Sequence, residues 1–379
     1  LSTPLEEILV ARIRESGPMP FAAFMSLALY HPQHGYYTAG PARVGWRGHF
    51  LTSPELDPGY GELWARGFTD IWHRSGRPDR FEVIEIGPGE ASFAAAVLGS
   101  VGDRFADALT YRLVERSPAL RERQELTLRD FPRVEWSPSI TDVAPVSHAC
   151  VFANEVLDNL PVHLVERTAG RLREICVGVD GERLTFVDLE PSNPELERFL
   201  ERCEVDLPEG HRAEIALAAE SFVSRVAAMF DTGCAIFVDY GTDAADLVSR
   251  PKGSLLAYSR SGTDENVLDD VGSRDITAHA NWTSVSSACR RAGLEVNEPI
   301  SQRSALESLG LHELHEELRY AHRVAIEEKR GADAVALISR RQALGALSDP
   351  GGLGGLLTMV AGRGLDISGV PGKEKEGPG

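Results

Sequence analysis

Phe81-Glu82-Val83-Ile84-Glu85-Ile86-Gly87-Pro88-Gly89-Glu90 is the stretch whose reading sets the fold. An apolar run that carries Glu82 and Glu85 stops at a pair of glycines and passes into a helix expected over Ala91 to Leu98. A short apolar run closed by turn residues reads as a buried parallel strand, a tight turn and a crossover helix. Parallel strands are covered by helices on both faces, and ligands collect beyond their carboxyl ends. Gly87 and Gly89 have no Cβ, so a ligand can approach the backbone closely there. Ser92 stands where a dinucleotide fingerprint would carry its third glycine. Glu85 and Glu90 flank the turn, and carboxylates repel a pyrophosphate but attract an amine or a sulfonium. The charge pattern therefore points to S-adenosylmethionine rather than to a dinucleotide, and argues against a nicotinamide oxidoreductase.

Working outward, a second strand is expected over Leu109 to Glu115. Glu115 follows Gly89 by roughly 26 residues, near the ~20 expected for an acid that accepts from ribose hydroxyls. Val134 to Trp136 reads as a third strand and Ala149 to Ala153 as a fourth. The fourth runs into Asn154-Glu155-Val156-Leu157-Asp158-Asn159-Leu160-Pro161. Two carboxylates and two carboxamides thus crowd the end of a central strand, where an acid can orient a methyl acceptor; an Asx-type cap is the alternative. Ala235 to Gly241 reads as a fifth strand and Leu356 to Ala361 as the last. The fold class is α/β, a Rossmann-like sheet with an N-terminal helical cap and an antiparallel β insertion. The expected divisions are a helical cap with lid loops at 1–78, a first half-core at 79–161, a β-rich insertion at 162–210, a second half-core at 211–366 and a disordered tail at 367–379.

Outside the strands, residues 3 to 30 read as helix broken at Gly17-Pro18. Tyr30-His31-Pro32-Gln33-His34-Gly35-Tyr36-Tyr37 is irregular and aromatic, and reads either as a lid over the pocket or as a buried plug. Thr52 or Ser53 is expected to cap the helix that carries Tyr60, Trp64 and Trp72, and Glu55 either lines a site or completes a capping box. Arg212 to Phe230 contains a helix with a leading acid, Glu214, and 242–275 reads as a long polar loop.

The chain's 379 residues with 42% apolar content suffice for a sizeable core. A net charge of −18 argues against a nucleic-acid groove. No window approaches ~18 uninterrupted apolar residues, so no membrane partner is expected. The five cysteines are widely spaced and form no C-x-x-C pair, which fits a reducing cytoplasm and no metal site. A homodimer is carried as the expected oligomer.

The chain resembles the MidA-type S-adenosylmethionine-dependent methyltransferases, relatives of the mitochondrial arginine methyltransferase that assists complex I assembly. The resemblance rests on Leu29-Tyr30-His31-Pro32 with Gly35-Tyr36-Tyr37, on Thr52-Ser53-Pro54-Glu55-Leu56 and on Glu85-Ile86-Gly87-Pro88-Gly89. It rests also on Asn154-Glu155 with Asp158-Asn159-Leu160-Pro161, on Asp239-Tyr240-Gly241 and on Asp275-Ile276-Thr277-Ala278-His279. It implies a class I methyltransferase core, a donor held at Gly87, Gly89 and Glu115, and a protein arginine as acceptor. With the reading of the strand ends, the cofactor candidates become Glu85, Gly87, Gly89, Glu115, Asn154 and Glu155. The catalytic candidates are Glu155, Asp158 and His49. The chain departs from the family at His49, at Glu90-Ala91 and around Tyr258-Ser259-Arg260-Ser261. Those departures keep a small-molecule acceptor as an alternative, for which His34, His49 or His279 would serve as base. A non-catalytic assembly protein is the other alternative.

Overall fold

The computed structural model describes residues 2–38, 52–259 and 262–371. His49 and the 372–379 part of the expected tail lie outside the described residues.

The main sheet is built from β1 (Phe81–Ile86), β2 (Leu109–Val114), β3 (Val134–Ser137), β4 (Val146–Asn154), β5 (Phe230–Asp239) and β6 (Leu357–Arg363). Their spatial order is β3-β2-β1-β4-β5-β6, with β6 antiparallel to β5 and the others parallel. Glu295–Val296 and Ile300–Ser301 pair with the outer edge of β6. The chain winds outward from β1 to β3 and then returns to place β4 beside β1. That reversal is the topological switch point of a doubly wound sheet, and a crevice opens there beyond the strand ends.

Alternation along the strands sends neighbouring side chains into two different cores. Cys150 and Phe152 of β4, with Cys234, Ile236 and Val238 of β5, meet Tyr60, Trp64 and Phe68 of the helix Gly59–Arg74. Ala149, Val151 and Ala153, with Ala235 and Phe237, meet the helices Leu217–Ala227 and Trp282–Arg291. On the first face Phe93 stacks on Phe152 at 4.6 Å between centroids and Trp64 meets Phe152 edge-on at 4.9 Å. Each such pair contributes about 0.5–1.5 kcal/mol beyond area burial.

The first helix, Pro4–Ser16, is closed by a reciprocal capping box between Thr3 and Glu6. After the break at Gly17 the chain forms a two-residue strand, Met19–Pro20, which pairs with Val177 and Cys176 of the β insertion. The cap and the insertion therefore share one core, in which Leu9, Phe21, Phe24 and Met25 pack on Leu164, Ile175 and Val177. Each element has an apolar face that its own segment cannot cover. Glu214, expected to lead a helix, lies instead in Arg212–Ile215, a strand of the same sheet paired with His163–Glu166, and the helix begins only at Leu217. A free sheet edge outweighs the helical propensity of this segment.

Two further expectations are corrected. The polar stretch after β5 is not a structureless loop: it holds the helix Ala244–Ser249 and a small antiparallel sheet of Leu256–Ser259, Gly262–Asp264 and Asp275–Thr277. The tail is not free from 367 onward, because Ile367 and Val370 are buried in the main core and Asn297 Nδ2 donates to the Ile367 carbonyl at 2.9 Å. All five cysteines are free and buried, and among the described residues no helix is long and apolar enough to cross a membrane.

Candidate active site at the ends of β1, β2 and β4

A cavity of about 410 Å³ lies at the switch point. Its floor is formed by the ends of β1, β2 and β4, and its wall by Tyr30, Tyr37, Tyr258 and Asp275 from outside the main sheet. Glu85, Gly87, Gly89, Glu115, Asn154, Glu155 and Asp158 all line it. Seven of the expected site residues thus come together in one place, and His49 falls outside the described residues.

The β1–β2 side is built around the glycine turn. Gly87 and Gly89 have φ of 69° and 54°, and Ala91 follows with φ 62° before the helix Ser92–Leu98. A Cβ on Gly87 would stand 3.2 Å from Val156 Cγ2, so a side chain there would crowd the cavity. Glu85 is buried and accepts from the Tyr111 hydroxyl at 2.7 Å. Burial pushes its carboxyl up to about 8, with the Tyr111 bond opposing. Glu115 accepts from the Ser117 amide at 2.6 Å on one oxygen and from Gln124 Nε2 at 3.2 Å on the other. Gln124, which the sequence reading missed, is fully buried and also donates to the Gly89 carbonyl at 2.8 Å. Its Oε1 accepts from the Trp136 indole N–H at 3.1 Å. One carboxamide therefore ties the glycine turn to the acid at the end of β2.

Glu90 does not act as a free flanking charge, because it is paired with Arg123 at 2.8 Å. The acid that reaches the turn is Glu55, whose Oε2 is buried with no hydrogen-bond partner among the described residues. Burial, and then the nearby Glu90, push Glu55 up to about 7. Glu55 sits on a separate short helix, Ser53–Leu56, where Thr52 makes no side-chain cap bond. Instead Asp57 Oδ1 accepts from the Gly59 amide at 2.7 Å and opens the next helix. Pro58 forces this break.

The β4 side is different. Asn154 donates to Glu155 Oε1 at 2.9 Å and accepts from the Tyr60 hydroxyl at 2.8 Å. Glu155 adopts φ 51°, a left-handed conformation that costs a non-glycine residue about 1–3 kcal/mol and that clusters at functional sites. The loop after it is held by Asp239, whose Oδ2 accepts from the amides of Val156, Leu157 and Asp158 at 3.1, 2.7 and 3.2 Å. The Tyr240 amide donates to the other oxygen at 2.8 Å. Glu155 Oε2 and Asp158 Oδ1 are buried without partners among the described residues. Burial first, and then Asp239, push Glu155 up to about 8. Asp158 goes well above the usual carboxylate range from burial, then Asp239 and Asp275.

The Tyr30–Tyr37 segment is a fixed wall. Tyr36 and Tyr37 amides donate to the Ala28 and Leu29 carbonyls at 2.9 Å each, and Tyr30 stacks on Tyr37 at 5.7 Å. The Arg116 guanidinium lies 4.9 Å over the Tyr30 ring. His279 lines the cavity with Nδ1 at 3.3 Å from Arg250, and burial and that cation lower its pKa. His34 stacks on His31 and does not line the cavity. No cluster of His, Cys, Asp or Glu among the described residues can hold a metal ion.

An open, mostly parallel sheet whose switch-point crevice is ringed by acids defines a Rossmann-like enzyme for a cationic nucleoside cofactor. Residues 63–300 match a family described as S-adenosyl-L-methionine-dependent methyltransferase, and the chain belongs to that family. It is similar to a crystal structure of a superfamily member from Burkholderia thailandensis bound to S-adenosyl-homocysteine. That match has 28% identity and a TM-score of 0.84 and covers 98% of this chain and 95% of that one. It is also similar to protein arginine methyltransferase NDUFAF7, mitochondrial, of Mus musculus, at 29% identity over 339 residues, 82% of this chain and 74% of the relative. The Homo sapiens counterpart is 26% identical over 340 residues, again 82% of this chain and 74% of the relative. The protein is an S-adenosylmethionine-dependent methyltransferase with a Rossmann-like core. Its residues fit that cofactor: a glycine cradle that a Cβ would fill lies beside buried acid oxygens that lack partners among the described residues.

Proposed function

We propose that this methyltransferase acts on an arginine side chain of a protein, with Glu155 and Asp158 as its catalytic acids. In this reading Glu85, Gly87, Gly89, Glu115 and Asn154 hold the cofactor, and Glu155 stands between the two binding regions. When bound, S-adenosylmethionine supplies an electrophilic methyl group on a sulfonium. The observation that carries the proposal is that Glu155 and Asp158 line one cavity and that each has a buried oxygen, Glu155 Oε2 and Asp158 Oδ1, without a partner among the described residues. Buried acceptors without donors are costly, so a ligand that brings N–H groups is favoured there. A guanidinium brings five such donors in a planar fork. It also brings the positive charge that returns Glu155 and Asp158 to their ionised forms. Once ionised, either carboxylate can take the proton that the guanidinium must release. Tyr30 and Tyr37 supply an aromatic wall that excludes water and suits a cation. The names of the mouse and human relatives point to the same acceptor class.

The test is incubation with methyl-labelled S-adenosylmethionine and a lysate of the source cells, followed by separation of macromolecules from small molecules. Label is expected in protein and, after hydrolysis, in methylarginine. Label confined to small molecules would overturn the protein acceptor and recast the cavity as a metabolite pocket. Label on a protein residue other than arginine would overturn the guanidinium.

A further inference from the structure

Asp275 begins the strand Asp275–Thr277, far in sequence from the other acids, and it is buried at the cavity wall. Its Oδ2 lies 2.7 Å from the Tyr37 hydroxyl oxygen, and that same oxygen lies 2.9 Å from Asn159 Oδ1. Asn159 Nδ2 faces Asp275 Oδ1 at 3.0 Å and the Ile276 carbonyl at 3.4 Å. The Ile276 carbonyl decides the orientation of the carboxamide, since a flipped Asn159 would set its oxygen against two acceptors. The three side chains therefore close a ring, and its protons can be counted. Two short O···O contacts need two protons, and the Tyr37 hydroxyl brings only one. An ionised Asp275 would leave the Tyr37 oxygen facing two acceptors with a single hydrogen.

We propose that Asp275 is a positioning residue that carries a proton on Oδ2 and donates it to Tyr37. Tyr37 then donates to Asn159, and the closed ring holds the neighbouring Asp158 toward the acceptor. The consequence for the site is a division of labour between adjacent acids. Asp275 stays neutral, so when a cation arrives Asp158 gains charge without Asp275 adding to the repulsion from Asp239. The surroundings agree. Tyr30 donates to the Asn159 carbonyl at 3.2 Å and closes the ring from above. Tyr258 sits opposite Asp275 in the adjoining strand. The acids that act on Asp158 are Asp239, then Asp275 and Glu155. The Arg116 cation is turned to the Tyr30 ring, and Arg274, next in sequence, is paired with Asp264 and Asp270. Burial pushes Asp275 up to about 7, with the bonds from Tyr37 and Asn159 opposing.

This inference rests on the proposed acceptor role of Asp158, so its test has one arm that needs no turnover. Infrared difference spectra of the full-length protein, wild type minus Asp275→Asn, are recorded near pH 6. A protonated carboxylic acid carbonyl band is expected, and it should shift in Tyr37→Phe, which removes the proton's acceptor. An absent band, or one unmoved by Tyr37→Phe, overturns the proposal whatever the acceptor proves to be. The second arm is turnover. Asp275→Ala should lose at least about tenfold, because displacing a catalytic group by a fraction of an ångström is costly. Asp275→Asn keeps the donor toward Tyr37 and the acceptor toward Asn159, so it should recover most of that loss and flatten the alkaline limb of the pH profile. An Asp275→Asn variant as impaired as Asp275→Ala would make the charge itself essential and overturn the neutral role.

Discussion

The two sides of the cavity are built in opposite ways. On the β1–β2 side, Glu115 and Gln124 have partners on every side-chain oxygen and nitrogen that faces the turn, all from residues 89 to 136. On the β4 side, the contacts among Tyr37, Asn159 and Asp275 join residues 116 to 238 positions apart, and Glu155 Oε2 and Asp158 Oδ1 remain without partners among the described residues. The first arrangement is preorganised for a ligand of constant shape. The second stores unfavourable desolvation, which in the proposed function a cationic acceptor would relieve. A methyltransferase needs both, since one cofactor must be held in a single pose while the acceptor is drawn in and its proton removed.

The sharpest break of this contrast is Glu155→Gln. It should lower turnover by about a thousandfold while donor affinity changes by less than about threefold. Donor affinity is read by calorimetry and turnover with labelled cofactor. A collapse of donor binding in step with turnover would move Glu155 to the preorganised side. Next in size is Gln124→Leu, which leaves Glu115 and the Trp136 indole each short of a partner. Donor affinity should fall about tenfold and stability by about 1–3 kcal/mol, with turnover at saturating donor largely kept. In a Glu115→Gln background the same substitution should cost donor binding much less; an undiminished cost would mean that Gln124 acts only on packing.

The smallest effect is on the pH dependence of stability. In the folded protein Glu55, Asp239 and Asp275 keep protons up to about 7, and Glu85 and Glu155 up to about 8. In the unfolded chain the same groups lose them near pH ~4. Between those limits the folded state binds more protons, so stability falls as pH rises. The ligand-free protein should therefore melt higher near pH 6 than near pH 8, and saturating cofactor should narrow the gap. A melting temperature that rises across that interval would show that these acids are ionised in the resting site.

How much of this was legible beforehand follows from distance along the chain. The alternation of β1 and the glycines that end it are local, so the sheet, its switch-point ligand and the positions of Glu85, Gly87 and Gly89 could be read from a window of a few residues, and Glu115 from its spacing to the glycine turn. Asn154 to Pro161 was legible as a polar cluster at a strand end for the same reason. Gln124 was not, because nothing distinguishes a glutamine within Arg121-Glu122-Arg123-Gln124-Glu125 until the helix turns that one side chain under the Gly89 carbonyl. Arg212–Ile215 was misread because its partner strand lies about fifty residues away, and an isolated Arg-Ala-Glu-Ile carries no mark of the edge it completes.

Residue order alone thus established the fold class, the cofactor and the cavity floor, since strand periodicity and glycine turns are properties of neighbouring residues. Which acids are charged is another matter. Asp158, Asp239 and Asp275 are the same residue type, yet among the described residues one lacks a partner on a buried oxygen, one accepts four backbone amides and one closes a ring with Tyr37 and Asn159. Desolvation and hydrogen-bond count set their protonation, and both exist only once the distant segments have packed together.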